Sequence, residues 1–138
     1  MRRRHAERGS ASIFTIGMAI VLLVCAGLVV DGGLAINARM RVADDAEQAA
    51  RVGADSIDIA QLRDSGTLVV DEGLARDRAA SYLRGRGYSN GQYRIDVNGN
   101  AVEVAVQDIA DTSLLKLVNI NSYEVNAAAT SVPETEAD

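Results

Sequence analysis

Tryptophan is absent, and phenylalanine, proline, histidine and cysteine each occur once. Each scarcity excludes something. A lone cysteine, Cys25, forms no intramolecular disulfide, so the chain folds without covalent staples. Cys25 sits inside an apolar run, where it reads as a small buried apolar residue. The lone histidine, His5, belongs to a basic arm on the far side of that run. A Ser-His-Asp or Cys-His site in the remainder is therefore excluded if the run crosses a membrane. The one proline, Pro133, leaves the chain before it free to form long helices. With one phenylalanine, Phe14, a folded lobe must rely on Val, Leu, Ile, Ala and the four tyrosines, Tyr82, Tyr88, Tyr93 and Tyr123. A lobe of about 70 residues with so few large side chains is marginally stable by itself.

Motifs with chemistry are equally scarce. Asp44, Asp45 and Glu47 cluster without His or Cys and read as a solvated helix face. Asp96-x-Asn98-x-Asn100 opens like a calcium loop, but Ala101 stands where a Gly is needed and Gln107 where a Glu is needed. It reads as a hairpin turn. Gly85-Arg86-Gly87 lacks the Gly-Lys-Ser/Thr ending of a phosphate loop. The sequence offers no catalytic, cofactor-binding or metal-binding residue, and the chain is expected not to be an enzyme.

What is present is one long apolar run. From Gly9 to Val30, 22 residues pass without a charge. As a helix rising about 1.5 Å per residue they reach roughly 33 Å, enough for a hydrocarbon core of about 30 Å. Backbone in lipid must pair its own N–H and C=O groups, so the run is expected to be a helix. Residues 1–8 carry +3 from Arg2, Arg3, Arg4 and Arg8 against Glu7, and the rest of the chain carries −8. Basic residues beside a membrane helix favour the cytoplasmic side, so these four arginines set a topology with the N-terminus inside and the bulk outside. An acidic exterior argues against nucleic acid as a partner, because phosphate binding needs a basic surface. An alternative stays open: a basic n-region, an apolar stretch from Ile13 to Val24 and small residues before a cut after Ala26 also fit a cleaved signal peptide. The chain would then be a secreted or anchored extracytoplasmic binding module. A lipid-anchor reading of Leu22-Leu23-Val24-Cys25 is weaker, because Val24 occupies a place that wants Gly, Ala or Ser.

Beyond Asp31 and the Gly32-Gly33 pair, residues 34–61 are rich in helix formers. Ala35, Ala38, Val42, Ala46, Ala49 and Gly53 recur at helical spacing and form one stripe, with Arg39 and Asp45 on its flanks. Small side chains bury little area but let helix backbones approach closely. Ala19, Ala26 and Gly33 supply small positions in the membrane segment, and Ala35, Val42, Ala46, Ala49 and Gly53 continue the face outside. These are the expected helix-packing residues, on one long helix from about residue 10 to about residue 60. The expected division is a basic arm over 1–8, a transmembrane helix over 9–33, an Ala-rich helix over 34–61, a small α+β domain over 62–132 and an acidic tail over 133–138.

Within that domain Asp64-Ser65-Gly66 reads as a turn and Thr67–Val70 as a short strand. Asp71 is a candidate N-cap for a helix through about Arg84, with Leu74, Ala75, Ala79, Tyr82 and Leu83 inside. Tyr93–Val97 and Ala101–Val106 alternate around Asn98-Gly99-Asn100, a hairpin signal. Asp111-Thr112 is a candidate cap for a short helix over Ser113–Val118, and Tyr123–Val132 reads as a last strand. The fold class is α+β: one helix on a small antiparallel sheet, behind a long N-terminal helix.

The stretch from Glu7 to Asp55 resembles the N-terminal segment of TadE/TadG-like proteins of tight-adherence (Flp) pilus assembly. The residues that carry the likeness are Arg8-Gly9, Asp31, Gly33, Arg39, Ala43-Asp44, Ala46, Ala49-Ala50 and Gly53-Ala54, about a third of the chain. The resemblance implies a pilin-like architecture and a place in the cell membrane with the C-terminal part extracytoplasmic. It implies other pilus-assembly or pilin-like membrane proteins as partners, and leaves room for a homo-oligomer. Peptidase-processed pilins of this kind carry a Glu five residues after the cleaved Gly, and here that place holds Phe14. The departure favours an accessory member that stays in the membrane.

Overall fold

The computed structural model describes residues 6–133, with side chains from residue 11 onward. Arg2, Arg3, Arg4, His5, the side chain of Arg8 and residues 134–138 of the acidic tail lie outside the described residues. Among those described, the chain forms three α-helices, α1 (Ala6–Ala54), α2 (Ile59–Ser65) and α3 (Glu72–Gly85), and three strands, β1 (Tyr93–Asn98), β2 (Ala101–Asp111) and β3 (Ser122–Ser131). A 3-10 turn over Leu115–Val118 precedes β3. The strands form one small antiparallel sheet in the order β1-β2-β3, so the fold is α+β.

The chain divides into two compact units. One holds the helix up to Ile36 together with Asp111–Tyr123, and the other holds Asn37–Ala110 and the chain from Glu124 onward. In the first unit, the apolar run lies wholly within α1, which continues through Gly32-Gly33 without interruption. Nearly every apolar side chain from Ile13 to Val30 is exposed. The segment after β2 closes on itself: Thr112 N–H donates to the Asn121 carbonyl at 3.0 Å, and the Thr112 hydroxyl donates to the Ile120 carbonyl. Asn119 ends the turn in the left-handed region at φ 67°, which Asn tolerates better than most residues.

The second unit is built on the C-terminal half of α1. Ala38, Val42, Ala46, Ala49, Ala50 and Ala54 are buried, and so are Ala75, Ala79 and Leu83 of α3. β2 contributes Val102, Val104 and Val106 from alternate positions, as a half-buried strand should. Asp71 caps α3 as the sequence predicts, its carboxylate accepting from Leu74 N–H at 2.9 Å. The hairpin also forms: Asn98 pairs with Ala101 across a tight turn in which Gly99 has φ 60°, a value glycine adopts without strain.

Several expectations need correction. The long helix stops at Ala54 rather than near residue 60, and a separate short helix begins at Ile59. Asp58 starts it by accepting from Gln61 N–H at 3.0 Å, and left-handed Gly66 ends it. The expected strand over Thr67–Val70 reduces to a single bridge between Ile57 and Val70. Its backbone finds other partners: Asp58 N–H donates to Val69 O, and the Asn100 side chain bonds both Leu68 O and Val70 N–H. Of the expected inner face of α3, Ala75, Ala79 and Leu83 are buried and Tyr82 is half-buried, but Leu74 is exposed.

Candidate functional site

The positions singled out for helix packing divide between the two units. Ala19, Ala26 and Gly33 lie on α1 within the first unit and are exposed, and Ala35 is half-buried. A methyl group added at Gly33 would meet nothing within 4 Å. Val42, Ala46, Ala49 and Gly53 are buried within the second unit. That part of the stripe is covered by the chain itself. A Cβ at Gly53 would lie 2.8 Å from Val102 Cγ1, 3.4 Å from the Ala75 carbonyl and 3.6 Å from Ala79 Cβ. Small residues are needed there because α3 and β2 approach the helix backbone closely.

The sequence predicts a solvated acidic face that includes Asp45, and the structure corrects this. Its side chain is buried, whereas Asp44 and Glu47 are exposed, Glu47 pairing with Arg51 at 2.8 Å. A buried carboxylate needs compensating donors. Arg86 Nε donates to Asp45 Oδ1 at 2.7 Å, and the Tyr88 hydroxyl donates to Asp45 Oδ2 at 2.9 Å. Burial first, and then the hydrogen bond to Asp45, push the Tyr88 hydroxyl up to about 12 from an ordinary 10.0. The hydrogen bond to Asp45 likewise raises the Arg86 guanidinium above its usual value. Asp45 thereby ties α1 to the segment that follows α3. One signal for this was in the sequence: Asp45 flanks the small-residue stripe, where a covered stripe would bury it.

Asp31 is the second carboxylate with a role that the sequence reading missed. The sequence marks it as the first charge after the apolar run and as one of the residues that carry the TadE/TadG-like resemblance, with no hydrogen-bonding role. Its side chain is 2% exposed and accepts backbone hydrogen bonds from Ser113 at 2.8 Å, from Leu114 at 3.0 Å and from Leu115. Asp31, not Asp111-Thr112, therefore satisfies the free amides at the start of the 3-10 turn. Beside it, Gly27 is buried, and a Cβ there would lie 3.2 Å from Leu114 Cβ. No local pattern could have revealed either partner, since the contacts join distant parts of the chain.

α1 is long and apolar enough to cross a membrane. Residues 9–56 match the Flp pilus-assembly TadE/G-like family model. The matched residues take in the apolar run, Asp31 and the small-residue stripe, and end just beyond the last turn of α1. No curated protein and no solved structure matches the chain. Among the described residues, no group of three or more His, Cys, Asp or Glu is placed to hold a metal ion.

Proposed function

We propose that the protein is a membrane-anchored accessory component of tight-adherence (Flp) pilus assembly, and that it acts by helix packing rather than by chemistry. The observation that carries this reading is the coincidence of the TadE/G-like match with a helix of membrane-spanning length. The basic arm stays in the cytoplasm, held there by Arg2, Arg3, Arg4 and Arg8. Residues 9–33 cross the membrane, and the α+β part lies outside. Ala19, Ala26 and Gly33 are small and exposed on α1, which supports their use as the face where a neighbouring helix approaches in lipid. Val42, Ala46, Ala49 and Gly53 serve a different packing task, seating α3 and β2 of the same chain on α1. The partners are other pilus-assembly or pilin-like membrane proteins, or further copies of this chain.

Deletion of the gene tests the proposal. Loss of surface filaments, restored by the full chain and with the chain co-purifying with pilus components from membranes, is the expected result. Normal filaments in the deletion strain would reject it. A mature chain beginning at Gly27 and free in the medium would instead favour the secreted binding module.

A further inference from the structure

The segment between β2 and β3 is unusually apolar for an exposed connection. It reads Ser113-Leu114-Leu115-Lys116-Leu117-Val118-Asn119-Ile120. Leu117 is 69% exposed, and Leu114, Val118 and Ile120 are exposed as well. Four exposed large apolar residues so close together are costly in water.

Their position gives a reason. Leu114, Leu117 and Val118 line one apolar crevice with Leu23, Val24 and Gly27 of α1. Gly27 lies one turn before Asp31 and Leu23 lies two turns before it. At about 1.5 Å per residue these are roughly 6 Å and 12 Å deeper in the apolar run. The loop therefore lies beside the last turns of the membrane-length stretch, not beyond it. Backbone at that depth must have its amides satisfied within the protein. Asp31 does this, accepting from the amides of Ser113, Leu114 and Leu115, while the Leu117 and Asn119 amides donate to the carbonyls of Leu114 and Lys116. Lys116 is exposed in the same turn, and its long aliphatic stem can carry the ammonium up to lipid phosphates.

We infer that residues 113–120 form a second, shallow membrane contact, with Leu114, Leu117, Val118 and Ile120 inserted among the acyl chains of the outer leaflet beside α1. The inference rests on the proposed membrane anchor. The bilayer is favoured as occupant because the apolar surface of the loop is continuous with that of the membrane segment. The contact ties the start of β3 to the bilayer and limits rotation of the chain about the axis of its anchor.

Depth-dependent quenching tests it. In the full chain carrying Cys25→Ala, single cysteines are introduced as Leu117→Cys, Val118→Cys, Leu22→Cys and Glu103→Cys. Each is labelled with a small fluorophore and reconstituted into phosphatidylethanolamine–phosphatidylglycerol vesicles. All four positions are exposed, so the labels leave the core intact. The labels at Leu117 and Val118 are expected to lose most of their emission to nitroxides placed high on the lipid acyl chains and to resist aqueous iodide. The label at Leu22 should be quenched by deeper nitroxides, and that at Glu103 by iodide alone. Iodide quenching at Leu117 and Val118, with Leu22 still quenched by lipid, would overturn the inference and leave the anchor standing. Shielding of Leu117 and Val118 from both lipid and iodide would overturn it in favour of a protein partner. Failure of lipid quenching at Leu22 would overturn both the inference and the anchor.

Discussion

The carboxylate of Asp31 lies 2.8 Å from the backbone nitrogen of Ser113, although 82 residues separate them in the chain. The same side chain also serves Leu114 and Leu115, so one residue at the edge of the apolar run organises a distant turn. A charged acceptor makes stronger bonds to backbone amides than a neutral one. Replacing Asp31 with Ala should accelerate hydrogen exchange at the amides of Ser113, Leu114 and Leu115, with α3 unaffected. Asn in its place should give a smaller effect, since its amide oxygen still accepts. Unchanged protection in the Ala variant would show that the turn does not depend on Asp31.

Gly53 is the tightest point in the second unit. Ala there would gain up to about 1 kcal/mol in helix propensity, but its Cβ would lie 2.8 Å from Val102 Cγ1. Val102 is fully buried and stiff at χ1, so it has little room to yield. Overpacking of this kind costs about 1–3 kcal/mol, and Gly53→Ala is expected to lower stability in denaturant titrations of the full chain in detergent. Gly33→Ala, where nothing lies within 4 Å, should be neutral or slightly stabilising in the same assay.

The double substitution Ala46→Leu with Ala49→Leu probes whether the stripe in the second unit packs within the chain or between chains. Both alanines are fully buried in this chain. The protein alone should therefore lose stability, by about 1–3 kcal/mol for each added side chain. Limited proteolysis should cut the second unit of the purified variant faster than wild type. A variant as resistant as wild type, yet defective in assembly, would mean that partner helices cover these positions.

Tyr88 gives a pH signature. Its folded-state value is about 12 against 10.0 in an unfolded chain. The native state keeps the phenolic proton in the interval where the unfolded chain has lost it. The stabilisation is therefore fully present below pH 10 and is lost as pH rises towards about 12. Tyr88→Phe should remove that contribution and flatten the alkaline decline in stability. It should also leave Asp45 with Arg86 as its remaining side-chain donor. An identical decline in the variant would assign the effect to another group.

Local chemistry was legible in the sequence wherever cause and effect lie close together. The 22-residue uncharged run, the Asp71 cap, the Asn98-Gly99-Asn100 hairpin and the alternating valines of β2 each follow from neighbours a few positions apart. The small-residue stripe was legible as a packing face, but not what covers it. Residues such as Ala46 and Ala49 fit an outside helix and the chain's own α3 equally well on spacing alone. The roles of Asp31 and Asp45 were not legible for the same reason. Their partners come from residues 113–115 and 86–88, and no periodicity connects them. The end of α1 at Ala54 was hidden because no proline or glycine pair marks it, and the capping aspartate of the next helix, Asp58, follows four residues later.

Fractionation of cells producing the full chain, followed by N-terminal sequencing of what is recovered, tests the central claim most directly. The proposal predicts a chain that keeps its apolar run intact, remains in the membrane fraction through alkaline extraction, and is recovered with pilus-assembly proteins. A chain that begins after Ala26 and is found free in the medium would contradict it.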